Sequence, residues 1–332
     1  MSFERVIGHE RQKDLLKRAI RSNLLAHAIL FTGLKGVGKS TLALATAKSV
    51  LCSQNVAGDA CSGCDSCLRF DRGQHPDFLE VKPKRKDITI DQIREVQYAL
   101  RIGPSIGAAR VILIRESSSM NPYASNALLK TLEEPSEGNY LFLTVEDERE
   151  LLPTIVSRCQ RIRLSPLAES DIAVNLEKQR GVSHEMGLAL ARLSGGSYGR
   201  ALALISGEEE RGTGILAYRR LFIEKLHTIH KNDSVGLLVL AQELDKLKDD
   251  VIEFLEMLKT WFHDLLLCRC GVNEEQFANA DLADLIRHYG PGEDPENIYR
   301  KLQWIENSRR TLQNNGNRLL TLEVLLFRMK SI

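Results

Sequence analysis

No apolar run in this 332-residue sequence approaches the roughly 20 residues of a membrane-spanning helix, which excludes a helical membrane protein. The opening residues, Met-Ser-Phe-Glu-Arg-Val-Ile-Gly, likewise lack an apolar signal core, so a cytoplasmic protein with no membrane partner is expected. Neither sign of charge is in excess, Lys plus Arg numbering 45 against 44 for Asp plus Glu. A global basic field of the kind that advertises nucleic acid is therefore missing, and only a local patch remains open. There is no internal repeat and no low-complexity tail. Seven cysteines in a reducing compartment do not suggest a disulfide framework, so their spacing is read first for metal or packing. What is present is globular material. Apolar residues make up 43% of a length that fits two or three domains at roughly 100 to 200 residues each.

The stretch from Ala28 to Leu51 organises the rest. An apolar strand, Ala28 to Thr32, runs into Gly33-x-x-x-x-Gly38-Lys39-Ser40, and a helix-forming segment follows at once. Gly33, Gly36 and Gly38 let the backbone turn its amides inward around an anion, and the helix beginning near Lys39 adds the positive end of its dipole. Lys39 reaches for the outer phosphates, and the Ser40 hydroxyl suits magnesium, a hard cation that prefers oxygen. The expected nucleotide site comprises Val6, Ile7, Gly33, Gly36, Val37, Gly38, Lys39, Ser40 and Thr41, with ATP or ADP and Mg as the ligand. For Val6 and Ile7 the plain alternative is core packing, and for the loop it is a glycine-rich turn.

Cys52 and Cys61-x-x-Cys64-x-x-Cys67 follow in a polar segment rich in Ser, Gly, Asp and Asn. Four thiols at spacings of eight, two and two can close a tetrahedron around zinc, and with four protein ligands no coordination position is left for catalysis. A structural site of this kind contributes on the order of 10 kcal/mol to local folding, enough for a loop too polar to hold itself together. Free surface thiols are the alternative. Cys268 and Cys270 have no further ligand partners nearby and read as buried or surface thiols.

Val6 to Glu10 leads into a charged amphipathic helix ending at Arg21. Strands are expected at Asp77–Val81, Arg110–Glu116, Tyr140–Thr144 and Gln160–Leu164, and a helix starts near Ile88–Asp91 with Asp91 as its cap. Apolar strands alternating with helices imply a parallel sheet covered on both faces. The basic run Lys82-Pro83-Lys84-Arg85-Lys86 suits either a nucleic-acid backbone or a solvated loop. After a break at Gly207–Gly212, apolar residues recur at helical spacing to the final helix, Leu319 to Phe327. In this region Trp261, Phe262, Leu265 and Leu266 form a face that is either core or subunit contact.

Three stretches carry a family resemblance: the phosphate loop, Asn126-Ala-Leu-Leu-Lys-Thr-Leu-Glu-Glu-Pro135, and Leu152-Pro-Thr-Ile-Val-Ser-Arg-Cys159. Together with the four-cysteine module they resemble the AAA+ subunits of the bacterial DNA polymerase III clamp loader, over residues 1 to about 205. The resemblance implies an α/β AAA+ P-loop domain at 1–165 with a zinc module at 52–67, a small helical lid at 166–209, and an all-helical collar domain at 210–332. It implies as partners gamma/tau-type motor subunits, a delta-type wrench subunit, the sliding clamp and primed DNA. It also gives Arg158 a role. Lying between a helix-like Leu151–Val156 and a strand, Arg158 would enter a neighbouring motor's pocket as an arginine finger; the alternative is an exposed arginine beside a buried cysteine.

The sequence departs from an active motor at the end of its Walker B strand, where Arg115-Glu116 stands in place of Asp-Glu. An arginine facing a divalent ion at about 4 Å is repelled by several kcal/mol at an effective dielectric near 20, unless it swings away. Thr144-Val-Glu-Asp147 departs from the usual phosphate sensor. In Gly195-Gly-Ser-Tyr-Gly-Arg200 the second-sensor arginine comes one place late, so Arg200 is either a sensor or a lid-surface charge. A largely non-hydrolysing assembly subunit is the expected function. The competing reading is an active ATP-hydrolysing motor, gamma-type or a branch-migration AAA+ ATPase.

Overall fold

A computed structural model describes residues 2–331 apart from 85, 135, 210–214 and 231. It divides into two compact units, residues 1–175 with 196–200, and 176–195 with 201–332. The first contains helix α1 (Glu10–Arg21), strand β1 (Ala28–Thr32), α2 (Lys39–Leu51), α3 (Asp65–Asp71), β2 (Phe78–Val81), α4 (Ile90–Ile102), β3 (Arg110–Ile114), α5 (Pro122–Glu133), β4 (Asn139–Val145), α6 (Pro153–Val156), β5 (Gln160–Arg163) and the start of α7 (Glu169–Arg180). All strand pairings are parallel, in the order β2-β3-β4-β1-β5. Every residue of β1 and β3 is buried, as continuous apolar runs covered on two faces require. This is the expected α/β P-loop arrangement. The chain leaves β1 for the far edge at β2 and works back through β3 to β4. The loop after β1 therefore opens at the carboxyl ends of the strands, where such sheets place their ligands.

One face of the sheet, including Leu30, Ile112, Leu141 and Leu143, packs on Ile93, Val96 and Leu100 of α4 and Leu128 and Leu132 of α5. The helix α2 contacts β1, β3 and β4, and its Ala43, Ala45 and Ala47 are fully buried. Their small side chains suit close helix–sheet approach. The cap of α4 is Thr89 rather than Asp91. Thr89 has the extended backbone a cap needs and forms a capping box with Gln92, whereas Asp91 lies inside the first turn and pairs with Arg94 at 3.0 Å. The strand β2 begins at Phe78 because Asp77, fully buried, turns its carboxylate to Ser105 N (2.6 Å), Ile106 N (2.9 Å) and Arg110 Nη2 (2.9 Å). The run Leu151–Val156 is helical only from Pro153.

The second unit holds α8 (His184–Leu193), the rest of α9 (Tyr198–Glu209), α10 (Ile215–Thr228), α11 (Ser234–Asp245), α12 (Val251–Arg269), α13 (Ala283–Tyr289), α14 (Pro295–Gln313) and α15 (Arg318–Lys330). The helix α9 runs on through Gly207, so the expected break does not begin there; residues 210–214 lie outside the described residues. The helix α12 packs against α10 and α14, with Trp261, Phe262 and Leu265 buried as core and Leu266 half-buried at its margin. Also buried is Arg219, whose Nη1 donates to Asn279 Oδ1 at 2.8 Å and whose Nη2 meets Asp281. Among the described residues no helix is long and apolar enough to cross a membrane.

Burial works to raise the Asp77 carboxyl pKa, but the two backbone amides and Arg110 hold it below the usual carboxylate range. A lowered native pKa gives stability that is present above the unfolded value near 3.9 and fades as pH falls through the native value. Replacing Asp77→Ala strands the buried Arg110 and is expected to cost about 3–5 kcal/mol, measured by denaturant unfolding at pH 7.

Candidate functional site

The phosphate loop turns at positive φ on Gly33 (+142°), Gly36 (+74°) and Gly38 (+111°). Lys39 opens α2 and is 9% exposed; its Nζ donates to Gly33 O at 2.6 Å and Leu34 O at 2.8 Å. Burial lowers the pKa of this ammonium against the opposing pull of Glu146, Glu116 and Glu150, which places three carboxylates in its field. Ser40 and Thr41 are half-buried at the start of the same helix. Val37 and Val6 are buried and Ile7 partly so. The segment holding Val6 and Ile7 is tied to the loop by His9, whose Nε2 donates to Val37 O at 3.0 Å.

A second stretch closes on the same loop. The Ser197 hydroxyl donates to Lys35 O (2.7 Å) and Gly199 N to Gly36 O (2.9 Å), while Arg200 N donates back to the Ser197 oxygen (3.2 Å). A Cβ on Gly36 would stand 2.5 Å from that oxygen, so glycine is required there for space as well as for its positive φ. Arg200 itself is half-buried, neither fully exposed nor enclosed.

Arg115 points away from the nucleotide side. Its Nη1 donates to Glu80 Oε1 at 3.2 Å on β2, and Glu80 also pairs with Lys82 at 2.7 Å. The strand β2 lies on the opposite side of β3 from β4 and β1, so the repulsion expected of a cation facing the metal is relieved. The metal-side carboxylate is still missing. Glu116 sits at φ +51° with its amide on Thr144 Oγ1 at 3.1 Å. Of the basic run, Lys82, Lys84 and Lys86 are exposed, and Arg85 lies outside the described residues.

The four thiols of Cys52, Cys61, Cys64 and Cys67 converge, their sulfurs all within 4.8 Å of one another. Two of the separations are 3.5 Å (Cys52 to Cys61) and 3.8 Å (Cys52 to Cys64). A tetrahedral ion with metal–sulfur bonds near 2.3 Å needs edges of about 3.8 Å, so the cluster fits one. Backbone amides already point at the sulfurs: Cys61 N to Cys52, Cys64 N to Cys61 and Cys67 N to Cys64, each at 3.4 Å. Burial pushes the Cys52 and Cys67 thiols up. It acts in the same direction on Cys64, but hydrogen bonds from Ser53 and the Cys67 amide bring that thiol down to about 5. Beside the cluster Lys48, 1% exposed, pairs with Asp71 at 2.8 Å and reaches Ser62 Oγ at 3.2 Å, adding positive charge near the sulfurs.

Arg158 lies just past α6. Its Nη2 donates to Glu133 Oε1 at 2.7 Å and its Nη1 to Thr154 O at 2.9 Å, with the side chain 35% exposed. The guanidinium is thus at the surface but tethered within its own domain.

A sequence model described as DNA polymerase III, delta subunit, matches residues 8–168, and one for the C-terminal part of that subunit matches residues 214–331. The DNA polymerase III subunit delta' of Pseudomonas aeruginosa is 31% identical over 316 residues, covering 92% of each chain. The chain belongs to the DNA polymerase III delta' family. A delta' subunit from Bacillus subtilis is 29% identical over 92% of both chains. The tau/gamma subunit of Haemophilus influenzae is 27% identical over 98% of this chain, which spans 49% of it. Among solved structures, a DNA polymerase III gamma subunit-related protein of Thermotoga maritima covers 96% of this chain at 17% identity and a TM-score of 0.49.

In this delta'-family chain sequence reasoning missed the contacts of Ser197 and Gly199 with the phosphate loop, the His9 bond to Val37, and the Glu80 partner of Arg115. The clustered glycines at 195, 196 and 199 were the available signal for the first. Beside Arg158, burial raises the Cys159 thiol to about 12. At pH 8 roughly one molecule in ten thousand then carries a thiolate there. Alkylation should modify the exposed Cys270 well before Cys159, as read by peptide mass analysis.

Proposed function

We propose that this chain is a delta'-type subunit of the bacterial DNA polymerase III clamp loader. It binds ATP or ADP weakly or without efficient turnover, and it assists its neighbours while the complex loads the sliding clamp onto primed DNA. Its partners are gamma/tau-type motor subunits and a delta-type wrench subunit. The observation that carries this reading is the pairing of a formed phosphate loop with Arg115 turned to Glu80 where a motor needs a metal-binding carboxylate. Gly33, Gly36, Gly38, Lys39, Ser40 and Thr41 hold the phosphates, with Val6, Ile7 and Val37 beside them. Magnesium, when bound, neutralises phosphate charge; this chain offers it the Ser40 hydroxyl but no aspartate. The cysteine cluster holds one structural zinc, since four thiolates suit zinc better than magnesium or calcium.

Arg158 is the finger in this proposal. Its bond to Glu133 joins two partly exposed side chains and is worth at most about 1 kcal/mol. A finger's contribution of roughly a thousandfold in rate corresponds to about 4 kcal/mol. Even with about 1 kcal/mol added for the Nη1 bond to Thr154 O, a neighbour's phosphates outcompete the tether in the transition state. The formed loop also supports the second reading, an ATP-hydrolysing motor, as does similarity to a tau/gamma subunit.

Purified protein prepared without chelator should contain one zinc per chain, and a zinc content near zero would sink that assignment. The chain alone should hydrolyse ATP negligibly. A rate of roughly one per second or more would establish the motor reading instead. Arg115→Asp should increase magnesium-dependent binding and Lys39→Ala reduce binding, by titration calorimetry. In the reconstituted complex, with the other motor sites silenced, Arg158→Ala should lower DNA-stimulated hydrolysis about a thousandfold, and Arg158→Lys should recover only part of it. An unchanged rate for Arg158→Ala would remove the finger.

A further inference from the structure

The residues between the first two cysteines of the cluster form a built turn. Val56 and Asp59 exchange backbone bonds of 3.1 and 2.9 Å around Ala57 (φ +53°) and Gly58 (φ +87°), the paired positive angles that a type I′ turn requires. Asn55 braces it, its amide donating to Ser49 O at 2.9 Å and its oxygen accepting from Gly58 N at 2.8 Å. The tip rests on the first helix. A Cβ on Gly58 would stand 2.2 Å from Lys17 O, a distance no side chain tolerates.

The next residue, Asp59, spreads its carboxylate over three elements. Oδ2 faces Lys17 Nζ at 3.4 Å on α1; Oδ1 accepts from Phe3 N (3.4 Å) and Ser49 Oγ (3.4 Å), and from Ala60 N at 2.7 Å. Phe3 is fully buried, with Lys17 Nζ 5.4 Å above its ring. From Phe3 the chain passes Val6, whose carbonyl accepts from Lys13 Nζ at 3.1 Å, and reaches His9 on the phosphate-loop carbonyl of Val37. The cysteine module and the phosphate loop are therefore joined twice. One route is α2, which starts at Lys39 and is capped by Cys52; the other runs from Asp59 through the N-terminal segment.

We propose that Asp59 is a positioning residue that couples the metal module to the nucleotide site. The proposal rests on the zinc and nucleotide readings above. With zinc bound, the turn is fixed between Cys52 and Cys61, and Asp59 holds Phe3 and Lys17 so that Val6, Ile7 and His9 lie ready against the loop. Without zinc the sheet stays folded, but this edge of the pocket loosens.

The test uses the full chain, loaded with zinc or stripped by chelator, titrated with Mg-ADP by calorimetry. Zinc affinity is measured by chelator competition with and without Mg-ADP. Stripping should weaken ADP binding about fivefold or more, and ADP should tighten zinc by the same factor, because a coupling free energy is reciprocal. Asp59→Ala should retain one zinc, bind ADP about fivefold more weakly, and show a coupling factor near one. Asp59→Asn keeps an acceptor for Phe3 N but loses the charge facing Lys17, and should fall between. Equal ADP affinities for loaded and stripped wild type overturn the proposal, as does coupling unchanged in Asp59→Ala. Loss of sheet circular dichroism on stripping also overturns it, because the module would then be holding the fold. A loaded wild-type chain that binds no ADP refutes the nucleotide reading itself and this proposal with it.

Discussion

The close packing of α2 on the sheet is the constraint on which the other features depend. Thirteen residues at 1.5 Å each make a rod of about 20 Å, and alanines at 43, 45 and 47 are wholly enclosed. One end of this rod presents Lys39 to the phosphate loop, and the other delivers Cys52 to the cysteine cluster. Because interiors are close-packed, neither end can shift without disturbing β1, β3 and β4 beneath it. The buried Lys48 adds a lateral bolt to Asp71 at the end of α3. Two sites of unrelated chemistry thus share a single rigid support.

Features that depend on local sequence were legible from it. Apolar runs marked β1 and β3, glycine spacing marked the loop, and thiol spacing marked a cluster that the fold brings within ligand distance. Features set by tertiary proximity were not. The partner of Arg115 is Glu80, 35 residues away and adjacent only because β2 pairs with β3. Ser197 meets Lys35 across 162 residues, a contact no periodicity encodes. The choice between Thr89 and Asp91 as the cap of α4 needed backbone angles, since both residue types suit that position. The face around Trp261 could be assigned to the core only once its neighbours were known, because apolar helical spacing is the same for core and interface.

Their surroundings distinguish the two arginines on which the proposed function turns. Arg115 pairs at 3.2 Å with a carboxylate that also serves Lys82, so it is directed toward β2 while its charge is only partly balanced. Arg158 is held by one carboxylate at a surface where water already weakens the pair. The two guanidiniums are about equally exposed, and what separates them is direction: one is turned to β2, the other lies at the surface between α6 and β5.

Both tryptophans of the chain, Trp261 and Trp304, lie in the helical unit, and the first is completely enclosed. The sheet unit holds none. Intrinsic emission excited at the red edge of indole absorption will therefore follow melting of the helical unit alone, and the phosphate loop and cysteine cluster will be optically dark in the same experiment. A tryptophan introduced into the sheet unit would give the two halves separate optical reporters, so that their order of unfolding could be read in one titration.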